Sequence, residues 1–167
     1  MIAAGRGDGI GPGLPVIGAD GLIGRTVEAG NHAARVLLLT DPASRIPVTV
    51  VRTGQAALVV GTNRPSLELR DRGGADVPLQ AGDRLVTSGD GGVFPPGIPV
   101  GIIINPAEPP AVRPAASPVG AAYVTVEAAY LPLPALAPET PLGTPVPIEA
   151  RRGGGGTPAP QPAAPLP

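Results

Sequence analysis

Short aliphatic runs rich in β-branched residues recur along this chain, each closed off by Gly, Pro, Asp or Asn. Turn signals spaced roughly 8–12 residues apart point to an all-β sandwich or barrel. The runs are Leu14–Ile17, Leu22–Glu28, Ala34–Leu39, Ile46–Arg52, Ala56–Val60, Leu67–Arg70, Arg84–Thr87, Val100–Ile104 and Ala122–Ala129. No window carries a sustained apolar stripe of helical period, and Gly30–Ala34 has room for one helical turn at most. The stretch "PVTVVRTGQAALVVGT" reads as a hairpin about Thr53–Gly54–Gln55, with Gly54 free to take positive φ.

Composition sets limits on this reading. The chain holds 25 Gly and 25 Pro, and the prolines crowd into residues 106–118 and 132–167. The first cluster predicts an extended surface loop. Residues 132–167 have no apolar periodicity and are expected to form a disordered tail. With one Phe, two Tyr and no Trp, any core must be aliphatic. A net charge of −1 and the absence of Lys leave no basic stripe to neutralise phosphates, so nucleic acid is excluded as a partner. Without Cys there is neither a disulfide nor a thiolate metal site, and one His with scattered carboxylates predicts no metal or cofactor. No apolar run approaches the ~20 residues of a membrane span.

One motif occurs twice. "GDGIGPGLPVIG" (7–18) and "GDGGVFPPGIPVGI" (89–102) share Gly-Asp-Gly, then Pro-Gly, then an aliphatic residue, Pro and Val. Pro12–Gly13 and Pro96–Gly97 fit the central positions of a type II turn, where Pro presets φ and Gly supplies positive φ. Pro15 and Pro99 cannot donate to a ladder and so belong at strand starts. Two small, similarly built β-units are expected.

The second copy also places Ser88 and Asp90 in a glycine-rich loop, as a trypsin-like protease does with its nucleophile. Aligned on Gly91–Gly92, however, the nucleophile position holds Asp90, with Ser88 two residues earlier. The order His32, then Asp41 or Asp76, then Ser88 mimics such a triad, but a triad also needs hydrogen-bond contacts that nothing in the sequence brings about. Asp83 and Asp90 form a second candidate, a carboxylate pair for glycoside hydrolysis, in a neighbourhood poor in aromatics. Asp41 and Asp83 instead fit Asx-turns, and Phe94 fits a core plug. "GDGIGPG" lacks the Lys-Ser/Thr ending of a phosphate loop, and a strand follows it where a helix is required. No catalytic, cofactor or metal residue is assigned, and no small-molecule substrate is expected.

Taken in order, "DGLIGRTVEAG", "ARVLLLTDPASRIPVTVVRTG", "LVVGT", "LELRD" and "ADVPLQAGDRLVTSGDGGVFPPGIPVG" resemble the periplasmic core of the MreC family of bacterial rod shape-determining proteins. The most specific parts are Leu38–Ile46 and Gly82–Gly101. The resemblance covers residues 7–104 and continues weakly through "AAYVTVEAAY". It implies two six-stranded β-barrels, the second inserted in the first, without a catalytic triad. The second barrel is expected over 35–95 and the first, incomplete here, over 1–34 and 96–131.

The implied role is a non-enzymatic scaffold of the cell-elongation machinery on the periplasmic face of the inner membrane. It would organise peptidoglycan synthesis through contacts with the elongation-specific penicillin-binding protein, MreD and MreB, with self-association in the full-length form. Family members begin with a transmembrane helix and a coiled coil; their absence here leads us to expect a fragment or a misassigned start. The competing expectations are a trypsin-like serine hydrolase using His32 and Ser88, and a carbohydrate-binding β-module.

Overall fold

A computed structural model describes residues 1–74, 77–119, 121 and 123–128. The predicted tail at 132–167 lies outside them. Ten strands follow in chain order: β1 Pro15–Gly18, β2 Gly21–Ala29, β3 Ala34–Leu38, β4 Arg45–Val50, β5 Ala56–Val60, β6 Leu67–Arg70, β7 Arg84–Thr87, β8 Pro99–Asn105, β9 Ala111–Pro114 and β10 Thr125–Val126. The only helical pieces among the described residues are two three-residue 3-10 turns, Arg6–Asp8 and Asp90–Gly92. No helix there is long and apolar enough to cross a membrane.

Six strands close into a barrel in the order β4-β5-β6-β9-β8-β7, with β7 returning to β4. The other four form an open antiparallel sheet, β10-β1-β2-β3. The all-β expectation holds, as does one closed six-stranded barrel. The barrel's chain is inserted in sequence between β3 and β10 of the open sheet.

Strand pairing draws the boundaries differently from the sequence reading. Residues 35–95 do not close a ring by themselves: β8 and β9 complete it, while β3 pairs with β2 in the open sheet. The cause is β9, which falls in the stretch expected to be loop. Prolines flank it, and proline removes donors but leaves acceptors in place. Thus the Pro110 carbonyl still accepts from the Leu69 N–H at 3.0 Å. Between the prolines, Val112 pairs with Leu67 on one side and Ile103 on the other, and is fully buried.

The barrel core is aliphatic with a single aromatic. Ile46, Val48, Val50, Val59, Leu67, Leu69 and Leu85 alternate inward from their strands, as period-2 patterning requires. Val100 and Ile103 of β8, where the pairing register shifts, also bury there, and Phe94 joins them from a loop. Leu22 of β2 and Leu39 after β3 bury in this same cluster, so the open sheet shares the core of the barrel. One backbone bond reinforces the join: Asn63 N–H, in the β5–β6 loop, donates to the Thr40 carbonyl, just after β3, at 2.7 Å.

Candidate interaction surface

In the repeated motif, both copies share one Pro-Gly turn, while their Gly-Asp-Gly openings differ, with positive φ at Gly9 in the first and at Gly89, Gly91 and Gly92 in the second. Each begins with a 3-10 turn, passes a Pro-Gly whose glycine has positive φ (84° at Gly13, 90° at Gly97), and enters a strand at its Pro, Pro15 or Pro99. A buried threonine on the adjacent strand clamps each copy. The Thr26 hydroxyl donates to the Gly11 carbonyl at 2.7 Å and accepts from the Leu14 N–H at 2.8 Å. The Thr87 hydroxyl donates to the Pro95 carbonyl at 2.5 Å and accepts from the Ile98 N–H at 2.9 Å. The backbones repeat the pattern: Gly13 N–H donates to Thr26 O, and Gly97 N–H to Thr87 O, at 2.7 and 2.9 Å. Two N–H donors and one carbonyl of each turn are thereby satisfied.

In the loop after β7, the polar side chains bond to one another. The Ser88 hydroxyl donates to Asp90 Oδ2 at 2.7 Å and accepts from the Asp90 N–H at 3.2 Å, both exposed. Its partner is thus a carboxylate two residues on, not an imidazole. His32 lies on the exposed loop between β2 and β3 of the open sheet, and no hydrogen bond among the described residues joins it to Ser88. Asp41 accepts from the Ala43 N–H at 2.8 Å, the expected Asx-turn. Asp76 lies outside the described residues. Gly89, Gly91 and Gly92 all take positive φ, and Phe94 is buried in the barrel cluster. The loop's polar groups are engaged in holding its own shape.

Asp83 is held in an ion pair with Arg52. Its buried carboxylate accepts from Arg52 Nε at 2.6 Å and from Arg52 Nη2 at 2.8 Å, and also from the Gln80 N–H at 2.9 Å. Arg52 Nη2 donates further to the Pro78 carbonyl at 2.9 Å, tying the end of the β4–β5 hairpin to the approach to β7. This fork is the strong, bidentate form of ion pair. The Arg52 hydrogen bonds hold the Asp83 carboxyl below the usual carboxylate range, against the opposing effect of burial. A carboxylate whose folded pKa is depressed stabilises the fold above its unfolded pKa, and loses that contribution as pH falls through the folded value. Asp83→Asn is therefore expected to lower unfolding free energy by about 1–3 kcal/mol at neutral pH. It should also flatten the decline in stability below about pH 4, as thermal unfolding across a pH series would read.

A surface of different character lies where the sheet meets the barrel. A cleft of about 520 Å³ is floored by Ile23 and Leu38 of the sheet and walled by Pro114, Ala116 and Val119. Arg64 from the β5–β6 loop and Arg113 from β9 line it as well. Beside them, Asn63 takes a left-handed φ of 58°, uncommon for a residue with a side chain, and its N–H bond to Thr40 holds that loop against the sheet. A second groove adjoins the first, shares Ile23, Ala116 and Val119 with it, and runs on to Asp20 and the exposed ring of Tyr123. Sequence reading singled out none of Thr26, Thr87, Arg64 or Arg113. The threonines were detectable as polar residues at inward positions of otherwise aliphatic strands; the arginines had no signal, since only the packing of sheet on barrel brings them to one cleft.

Comparison with known proteins follows this architecture. The profile of the family described as "Rod shape-determining protein MreC, barrel core" matches residues 1–126. A cell shape-determining protein MreC from Caulobacter vibrioides is 50% identical over 102 residues, covering 61% of this chain and 29% of that protein. The MreC of Cereibacter sphaeroides is 48% identical over 101 residues, covering 60% of this chain and 33% of that protein. A crystal structure of MreC from Pseudomonas aeruginosa aligns with a TM-score of 0.67 at 40% identity, over 75% of this chain and 86% of the other. The matched region spans about a third of the length of these curated relatives.

Proposed function

Because the chain belongs to the MreC family of rod shape-determining proteins, we propose that it acts as a non-enzymatic scaffold of the bacterial cell-elongation machinery. It works on the periplasmic face of the inner membrane and organises peptidoglycan synthesis there. Its partners on this reading are the elongation-specific penicillin-binding protein, MreD and, through them, MreB filaments. What carries the reading is the family match over residues 1–126. The loop most like an active site supports it, because its hydroxyl and carboxylate bond to each other and to local backbone. Two further features suit a scaffold: an apolar cleft at the sheet–barrel junction, and a closed barrel that leaves no unpaired edge among its own strands.

Depletion of the full-length protein in its own cells is expected to turn rods into spheres, and the tagged protein should co-purify with the elongation-specific transpeptidase. Unchanged rods with no complex recovered would sink the proposal. A fluorophosphonate probe is expected to leave Ser88 unlabelled, since an activated serine needs a base in hydrogen-bond reach. Labelling at Ser88 that disappears in His32→Ala would restore the hydrolase.

A further inference from the structure

The cleft between sheet and barrel is built asymmetrically. At its barrel end stand Arg64 and Arg113, both exposed, and among the described residues neither has an ion-pair partner. The four ion pairs of the described residues use Arg35, Arg52, Arg70 and Arg72 instead. No carboxylate lines this cleft. The adjoining stretch is lined by one acidic residue, Asp20, while Glu68, which shares a separate pocket with Arg64, is paired with Arg70. Between the two ends the lining is mainly aliphatic, with Ser117 as a polar member shared by both stretches, and Val119 and Tyr123 are almost fully exposed, at 87% and 92%. An exposed apolar strip with two unpaired guanidinium groups at one end and a carboxylate at the other is polarised along its length.

We propose that this groove binds an extended, apolar segment of a partner protein, with a carboxylate of that segment seated against Arg64 and Arg113. Aliphatic side chains of the segment cover Ile23, Leu38, Ala116 and Val119, and burial of that surface provides the non-directional part of the affinity. The guanidiniums orient the segment, because arginine bonds carboxylates through a planar fork of donors that a lysine ammonium lacks. Asp20 repels a second acidic group at the other end, which sets the direction in which the segment lies. This inference rests on the scaffold reading, in that it names the chemistry a protein partner must present to this surface.

The test is selection of a displayed library of random 12-residue peptides on the full chain. Enriched peptides are expected to carry Asp, Glu or a free C-terminus beside two or more aliphatic residues. Synthetic versions with Glu→Gln, or with an amidated end, tell an internal acid from a terminal carboxylate, and the one that supplies the contact is expected to weaken about tenfold when neutralised. The double variant Arg64→Ala/Arg113→Ala should lose at least about tenfold in affinity for the enriched peptides, with thermal unfolding unchanged because both side chains are exposed. Binding should also fall with rising salt. A separate variant, Val119→Asp, is expected to abolish binding by placing a carboxylate in the apolar wall. Enrichment of peptides without a carboxylate, affinity unmoved in the double variant, or no enrichment at all would each overturn the assignment. Depletion that leaves rods unchanged would strike the scaffold reading alone, and a failed selection would strike the groove alone.

Discussion

Phe94→Ala is expected to remove about 3–5 kcal/mol of unfolding free energy, a large share of the stability of a domain this size. Phe94 is the chain's only phenylalanine, and it is buried in the barrel cluster although it belongs to the loop between β7 and β8. Truncation leaves a cavity among aliphatic side chains held by closed strands on every side, which collapse poorly to fill it. It also frees a loop whose glycines at 89, 91 and 92 all adopt positive φ and so do little to hold their own conformation. Denaturant unfolding should show the midpoint fall with the slope unchanged. The neighbouring Ser88→Ala should stay within about 0.5 kcal/mol of the parent, because its hydroxyl is exposed and bonds only to Asp90. Equal effects from the two substitutions would contradict a loop anchored by Phe94.

The second large effect comes from removing the two threonine clamps together. Thr26→Val and Thr87→Val keep side-chain shape while deleting a hydroxyl that both donates and accepts. Each leaves the N–H of Leu14 or Ile98 and the carbonyl of Gly11 or Pro95 short of a partner. A loss of about 1–3 kcal/mol per site follows. The two clamps share no partner, so the double variant should lose about 2–6 kcal/mol, additive to within about 0.5 kcal/mol. Thr→Ser at either position restores the hydroxyl and should recover most of the loss. Valine variants as stable as the parent would show that the clamps hold nothing.

The clamps also show why part of this architecture was hidden from a linear reading. Both copies of the Gly-Asp-Gly…Pro-Gly…Pro motif were visible in sequence, and both form the same turn. Their threonines carry no common sequence signal because they lie on opposite sides of the motif. Thr26 comes from β2, which follows its copy, whereas Thr87 comes from β7, which precedes its copy. A hydrogen-bonded neighbour is reached equally well from either chain direction, so the shared geometry leaves no shared order. The carboxylates show the same limit. Asp83 was legible as a turn former, yet its bidentate partner, Arg52, lies 31 residues earlier.

Sequence by itself determined the strand-forming segments other than β9, the aliphatic core and the Pro-Gly turns, because each depends on local φ restrictions and on period-2 alternation of side chains. It also pointed to the family, through the spacing of Gly82–Gly101. Tertiary structure alone decided which strands close the barrel. The proline-flanked Ala111–Pro114 became the strand that seals it, since a free edge on β6 and another on β8 left donors and acceptors to be met. It likewise decided that Ser88 faces Asp90, that Asp83 faces Arg52, and that Arg64 and Arg113 meet over one apolar cleft. Such pairings are set by where distant strands dock, and docking is settled by the burial of the whole core, not by the residues on either side of the pair.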